Sequence, residues 1–301
     1  MRNEFAKKIT EIAKTNKKIV LLVGDIGNKL FDNFKKNYPD RFYNCGVAEA
    51  NMVGVAAGLS KVGFLPVIYT ITPFLTSRCF EQIRLDICYP NLHAIIVGTG
   101  AGLSYSRLGP THHSLEDITL MNVIPNMNII CPGDSVELGQ LLYGATKIKK
   151  PFYLRIGKKG ESILNGNNSR IKIGIPNCIK KGKKIALLSV GNMLKISSDV
   201  ASLFQNKEVS LYSFHTIKPL NLNFLKKIFY KYEKIVILEE QTLLGGLSVL
   251  VKSNFEILNI KKKHLYCFNT PDKFLVGMGE QENARKKLGL DVYSIYKKII
   301  E

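Results

Sequence analysis

The chain has 301 residues, 46% of them apolar, which suits two domains with filled cores. Its net charge is +19, yet the 35 Lys and 8 Arg fall in scattered doublets such as Lys7-Lys8 and Lys149-Lys150, with no basic stripe. Nucleic-acid binders concentrate such charge beside aromatic or Arg contacts to bases, so that class is set aside, and attraction of phosphorylated substrates remains. The six cysteines form no CxxC pair, no run approaches 18 apolar residues, and MRNEFAKKIT lacks the apolar core of a signal peptide. The expectation is a cytoplasmic protein with no disulfide framework and no membrane span.

From the N-terminus, an amphipathic helix is expected over Arg2–Lys14 and an apolar strand over Ile19–Val23. Gly24-Asp25-Ile26-Gly27 makes a loop. In Cys45–Leu59 (CGVAEANMVGVAAGL), Gly46 suits a turn, and Val47, Met52, Val55, Ala56 and Leu59 recur at helical spacing. That pattern predicts a helix over Ala48–Lys61 with this face buried. Glu49 falls in its first turn, where a negative charge meets the positive end of the helix dipole. A strand over Val67–Thr70 leads into Thr72–Asp86 (TPFLTSRCFEQIRLD), with a helix over Ser77–Ile87.

After a strand over Ala94–Val97, Leu108–Asp117 (LGPTHHSLED) joins a Gly-Pro turn to the Ser114-x-x-Asp117 signature of a helix start. His112 and His113 therefore precede a helix over Leu115–Asn122, in the crevice where open α/β sheets bind ligands. Two histidines without further ligands at suitable spacing make a poor metal site. A strand over Asn128–Cys131 and a helix over Val136–Lys147 complete a unit spanning 1–160. The polar stretch 161–182 reads as a linker. A second unit over 183–301 has strands at Ile185–Ser189, Val209–Ser213 and Ile235–Leu238. Strands alternating with helices argue for a mostly parallel sheet flanked by helices in each unit, an α/β fold throughout.

These segments resemble the transketolase family of thiamine diphosphate enzymes. The three quoted motifs resemble its pyrimidine-binding domain, and His215–Leu220 (HTIKPL), Glu239–Leu247 (EEQTLLGGL) and Gly279–Leu290 its C-terminal domain, so nearly the whole chain is covered. The resemblance implies that Glu49 hydrogen-bonds N1′ of the cofactor's aminopyrimidine, favouring the imino tautomer whose exocyclic nitrogen takes the proton from thiazolium C2. A buried carboxyl suits such a role, because burial favours the protonated form. It further implies that Phe74 stacks on the aminopyrimidine, with Arg78 and Asp25 near the cofactor. His112 becomes a proton donor or acceptor at the substrate oxygen. Arg155 and Lys158 fall where the family holds the substrate's phosphate.

Two positions depart from the family. Leu108 stands where ordinary transketolases have an aspartate that contacts a substrate hydroxyl, and Gly100 where they carry a phosphate-contacting histidine. Both argue against an ordinary sugar-phosphate substrate. The diphosphate-binding domain, with its Gly-Asp-Gly motif and a downstream Asn that completes the Mg²⁺ site, has no counterpart in the sequence. The resemblance therefore implies the C-terminal subunit of a split transketolase, with Mg²⁺ held by a separate N-terminal subunit and the cofactor between chains of an α₂β₂ assembly. The implied reaction moves a two-carbon ketol unit from a ketose, free or phosphorylated, to an aldehyde. Alternatives are the beta subunit of a 2-oxoacid dehydrogenase, a deoxyxylulose-phosphate-synthase-like enzyme, and a catalytically idle partner. Intact Glu49 and His112 argue against the last.

Overall fold

Ile19–Val23, five apolar residues without alternation, form strand β1, buried along its whole length as strands of parallel sheets are. The computed structural model describes residues 1–158, 161–166, 169–205, 207–257 and 264–301. Around β1 lie β2 (Phe42–Asn44), β3 (Leu65–Ile71), β4 (Ile95–Thr99), β5 (Asn128–Ile130) and β6 (Phe152–Ile156). A second sheet contains β7 (Asn177–Lys180), β8 (Ile185–Ser189), β9 (Val209–Ser213), β11 (Lys234–Thr242) and β12 (His264–Thr270). The order in the first sheet is β10-β5-β6-β4-β3-β1-β2, where β10 (Thr216–Lys218) comes from far along the chain and pairs antiparallel with β5. The second runs β12-β11-β8-β9-β7, parallel except for the β7–β9 pair.

Helices cover both faces of the first sheet. On one side Arg2–Thr15 and Ser135–Ala145 bury Phe5, Ile9, Leu138 and Leu142 against Leu21, Val67, Ile95 and Leu154. On the other, the helix Glu49–Lys61 packs on Leu22, Ile68 and Ile96, and this core continues without a break into Leu188, Phe214 and Ile237 of the second sheet. Each fully buried Leu, Ile or Phe stabilises such a core by roughly 1.5–3 kcal/mol, so one apolar core holds the two sheets together. No helix among the described residues is long and apolar enough to cross a membrane.

Several expectations need correction. The helix after Gly46 buries Met52, Val53, Ala56 and Ala57, while Val47 and Val55 are 76% and 42% exposed. The apolar positions thus wrap two faces, and only one meets the sheet. The helix expected over Ser77–Ile87 is a short turn at Phe80–Gln82 continued by a wider π-type turn over Ile83–Cys88. Within 161–182, residues 167 and 168 lie outside those described, and Asn177–Lys180 form β7. Its polar, Lys-containing sequence hides a strand because an edge strand needs only one covered side.

Candidate active site

The C-terminal ends of β1, β3 and β4 lie side by side in the sheet, the edge at which open parallel sheets leave a ligand cleft. Gly24 follows β1, and a Cβ there would lie 2.9 Å from Thr70 Oγ1 and 3.5 Å from Glu49 Cγ, so only glycine lets these groups approach. Glu49 opens its helix directly after Ala48, which supplies no capping side chain. Its carboxylate is 3% exposed and meets the dipole of the first turn. Arg78 Nη1 donates to Oε2 at 2.8 Å; Oε1 has no hydrogen-bond partner among the described residues. Thr70 Oγ1 beside it is buried and unpartnered as well.

Phe74 comes from the short helix Thr72–Thr76, which β3 runs into at Pro73. The Arg78 guanidinium stands 4.6 Å above its ring. The His112 ring lies 5.1 Å from Phe74 at 69°, edge to face. His112 is carried by a turn in which Gly109, at φ 77°, accepts from the His112 and His113 N–H groups at 3.0 and 3.2 Å. Its Nδ1 lies 2.9 Å from Thr111 Oγ1, and Nε2 is without a partner among the described residues. Burial, and secondarily the charge on His113, push the His112 imidazole below its ordinary value, so it is neutral at pH 7. His113 is buried and fixed to Ser106 O at 3.1 Å. Tyr105 faces His112 at 6.0 Å, and Lys158 Nζ stands 4.6 Å over the Tyr105 ring.

The structure thus brings Glu49, Phe74, Arg78 and His112 together, with Lys158 one ring further out. Leu108 lies on the same turn and is 54% exposed. Asp25, the residue after Gly24, is exposed, and its Oδ1 accepts from Asn44 Nδ2 at 3.0 Å.

Arg155 needs a correction. Instead of facing a substrate it is 1% exposed, with Nε donating to Asp117 Oδ2 at 2.7 Å and Nη2 to Ser114 O and Glu240 O at 2.9 Å each. Nε and Nη2 are thereby committed beneath the histidine turn, while Nη1 has no hydrogen-bond partner among the described residues. Asp117 also accepts from Tyr153 Oη at 2.6 Å, so it does not form a capping box with Ser114, whose Oγ has no partner. The helix accordingly starts at Asp117.

Sequence reasoning missed Glu240. It is buried at the end of β11 and accepts from Leu103 N at 2.9 Å, Asn192 Nδ2 at 2.6 Å and Arg285 Nε at 2.5 Å. Burial pushes its carboxyl up, but Arg285 and these N–H donors outweigh that and hold it below the ordinary value. Thr242 N donates to Leu115 O at 2.8 Å, so the end of β11 braces the histidine turn from the second sheet. The available signal was Glu239-Glu240 directly after the apolar run Ile235–Leu238. Among the described residues no three His, Cys, Asp or Glu side chains converge as metal ligands.

The family profile described as "Transketolase, pyrimidine binding domain" matches residues 1–160, and "Transketolase, C-terminal domain" matches 176–292. The chain is 33% identical over 302 residues to a 1-deoxy-D-xylulose-5-phosphate synthase of Dictyoglomus thermophilum, covering 98% of this chain but 48% of that protein. It thus spans about half the length of that curated relative. It is 27% identical over 304 residues to an apulose-4-phosphate transketolase subunit of Phocaeicola vulgatus, covering 100% of this chain and 96% of that one. Among solved structures, "Split gene transketolase, inactive beta4 tetramer" superimposes with a TM-score of 0.88 at 28% identity, covering 99% of this chain and 96% of that chain. With both domain profiles matched in order along its length, the chain belongs to the transketolase family.

Proposed function

We propose that this chain is the C-terminal subunit of a thiamine diphosphate-dependent split transketolase, which moves a two-carbon ketol unit from a ketose to an aldehyde. The observation that carries the reading is the buried Glu49 carboxylate, with one oxygen unpartnered, at the foot of a cleft walled by Phe74 and His112. These residues fit an aminopyrimidine. Glu49 is an acceptor that can share a proton with a ring nitrogen, the unpartnered Thr70 hydroxyl beside it can meet a further polar group, and Phe74 supplies a flat face. Glu49, Phe74 and Arg78 would hold the cofactor, which supplies the electron sink for breaking a bond beside a carbonyl. Glu49 holds the proton opposite the pyrimidine. His112, neutral at pH 7, would accept the proton of the C3 hydroxyl as the C2–C3 bond of the ketose breaks and C3 becomes an aldehyde. It would give a proton to the acceptor aldehyde's oxygen as the new C–C bond forms, a role worth about 10²–10⁴ in rate.

A separate N-terminal chain would bring the diphosphate and Mg²⁺ site in an α₂β₂ cytoplasmic complex. Leu85 and Tyr89, exposed beside Gly54 and Gly58 of the Glu49 helix, offer an apolar face for such a partner. The Phocaeicola relative, itself named as one subunit of a transketolase, and the split-gene transketolase structure support this reading. The 33% identity to a deoxyxylulose-phosphate synthase favours a second reading, in which a 2-oxoacid is the donor and CO₂ is released.

Isothermal titration of thiamine diphosphate with Mg²⁺ into this chain, alone and co-purified with its N-terminal partner, tests the proposal. Binding only in the complex, with ketol transfer and no CO₂ release, is the expected outcome. An absence of binding in the complex would overturn it, and CO₂ release from pyruvate would select the second reading.

A further inference from the structure

His112 rides on a loop whose two ends lie together. Ser114 N donates to Gly102 O at 3.0 Å, so the stretch 102–114 returns to one narrow neck. Apart from the turn Ser106–Leu108, the loop has no regular structure of its own to hold His112 in place. The neck is seated on the C-terminal domain. Leu103 and Leu115 are buried in a small apolar cluster with Leu275 and Ala284 of that domain. The end of β11 takes the polar groups: Glu240 Oε2 accepts from Leu103 N at 2.9 Å, and Thr242 N donates to Leu115 O at 2.8 Å. Glu240 is fixed in turn. Arg285 Nε donates to its Oε1 at 2.5 Å and Asn192 Nδ2 to its Oε2 at 2.6 Å, and Asn192 Nδ2 also lies 3.3 Å from Ala101 O. A Cβ on Gly102, which stands at φ +59°, would lie 2.1 Å from Glu240 Oε2, so only glycine lets the neck come this close.

We propose that Glu240 is a positioning residue for the reaction: by holding the neck of this loop on the C-terminal domain, it fixes where His112 stands over the cleft. The inference rests on the transketolase-type reading of that cleft. Proton transfer needs donor and acceptor within hydrogen-bond reach, and a misplacement of roughly 1 Å can cost about 10²-fold in rate. Glu240 acts only through the backbone that it anchors. A carboxylate suits the task, because its two oxygens accept from Leu103 N of one domain and from Arg285 and Asn192 of the other at once.

Two measurements test it. In the chain labelled with ¹⁵N-histidine, the titration of His112 is followed by NMR, its signal assigned by its loss in His112→Gln. Burial holds this imidazole below its ordinary value, so loosening the neck should raise its midpoint. His93, whose Nε2 lies 3.1 Å from Ala145 O at the opposite end of β4, should not move. Glu240→Ala and Gly102→Ala should both raise the His112 midpoint. In the complex with the N-terminal partner, both should lower kcat for ketol transfer at least tenfold, while calorimetry finds thiamine diphosphate affinity within threefold of wild type. Glu240→Gln, which can still accept from Leu103 N, should keep kcat within threefold. Should the two alanine variants fail to fold, Asn192→Ala, at a partly exposed position, reads the same quantities with smaller shifts in the same direction. An unchanged His112 midpoint, an unchanged kcat, or a loss of cofactor affinity as large as the loss of kcat overturns the proposal. A wild-type complex that transfers no ketol unit overturns the proposed reaction instead, and the His112 titration alone then decides the anchoring.

Discussion

Glu49 and Glu240 are both buried, at 3% and 1% exposure, yet their surroundings differ in kind. Glu240 takes donors from Leu103, Asn192 and Arg285, and its neighbour Arg155 is likewise committed to Asp117, Ser114 and Glu240 O. Glu49 has one ion pair, to an arginine that is 49% exposed, and one unpartnered oxygen. A buried carboxylate with both oxygens taken by donors, as in Glu240, offers nothing to a ligand; one left half-satisfied carries an unmet demand that a ligand can meet. On the proposed reading, binding and proton handling fall to the cleft and support to the junction below it.

The sharpest way to break the comparison is Glu49→Ala. Turnover of the assembled complex should fall by about 10³, while the unfolding midpoint stays near wild type, because only one partly exposed ion pair is lost. Retention of more than a tenth of the activity, or a collapse in stability, would place Glu49 among the supports.

Next in size, Asp117→Ala leaves the Arg155 charge and the Tyr153 hydroxyl buried without their partner. Removing one partner of a buried pair costs about 3–5 kcal/mol, so thermal unfolding should begin roughly 10 °C lower. Lost activity at an unchanged midpoint would instead make this pair part of the cleft.

A smaller effect separates the histidines. His215 joins the two sheets, with its carbonyl accepting from Cys131 N at 2.7 Å, and burial pushes its imidazole down to about 4. A folded-state value below the unfolded one means that the unfolded chain takes up the proton first as pH falls. The stability that neutral His215 contributes is therefore fully present above pH 6.5 and is lost between there and pH 4, roughly 3 kcal/mol in all. Urea unfolding over that range should show a shallower loss in His215→Gln than in the wild type. Equal slopes in the two proteins would remove His215 from the account.

Apolar runs made much of this fold legible before any tertiary contact was known. β1, β8 and β9 occupy the expected residues. β1 is five consecutive apolar side chains and β8 begins with four, runs that are buried on both faces of a sheet, and in β9 Val209, Leu211 and Tyr212 are interspersed with small serines. Local signals placed Glu49 at a helix start and His112 on a Gly-Pro turn, as the structure has them, whereas Phe74 was singled out by the resemblance of its segment to the family. β7 and β10 were hidden because their residues carry little apolar pattern and gain their place only by pairing with β9 and β5.

What the sequence alone determined is the α/β pattern, since it depends on residue type and short-range spacing; the candidate chemistry-bearing side chains came from the resemblance of its motifs to the family. What the tertiary structure decided is which charges remain available. Arg155 and Lys158 are three residues apart and read alike as bases, yet one ends beneath Asp117 and Glu240 and the other above Tyr105. Glu49 and Glu240 likewise read alike as acids beside apolar segments. Their fates separate because burial and pairing depend on partners brought from 29 to 137 residues away, and no local pattern encodes those distances.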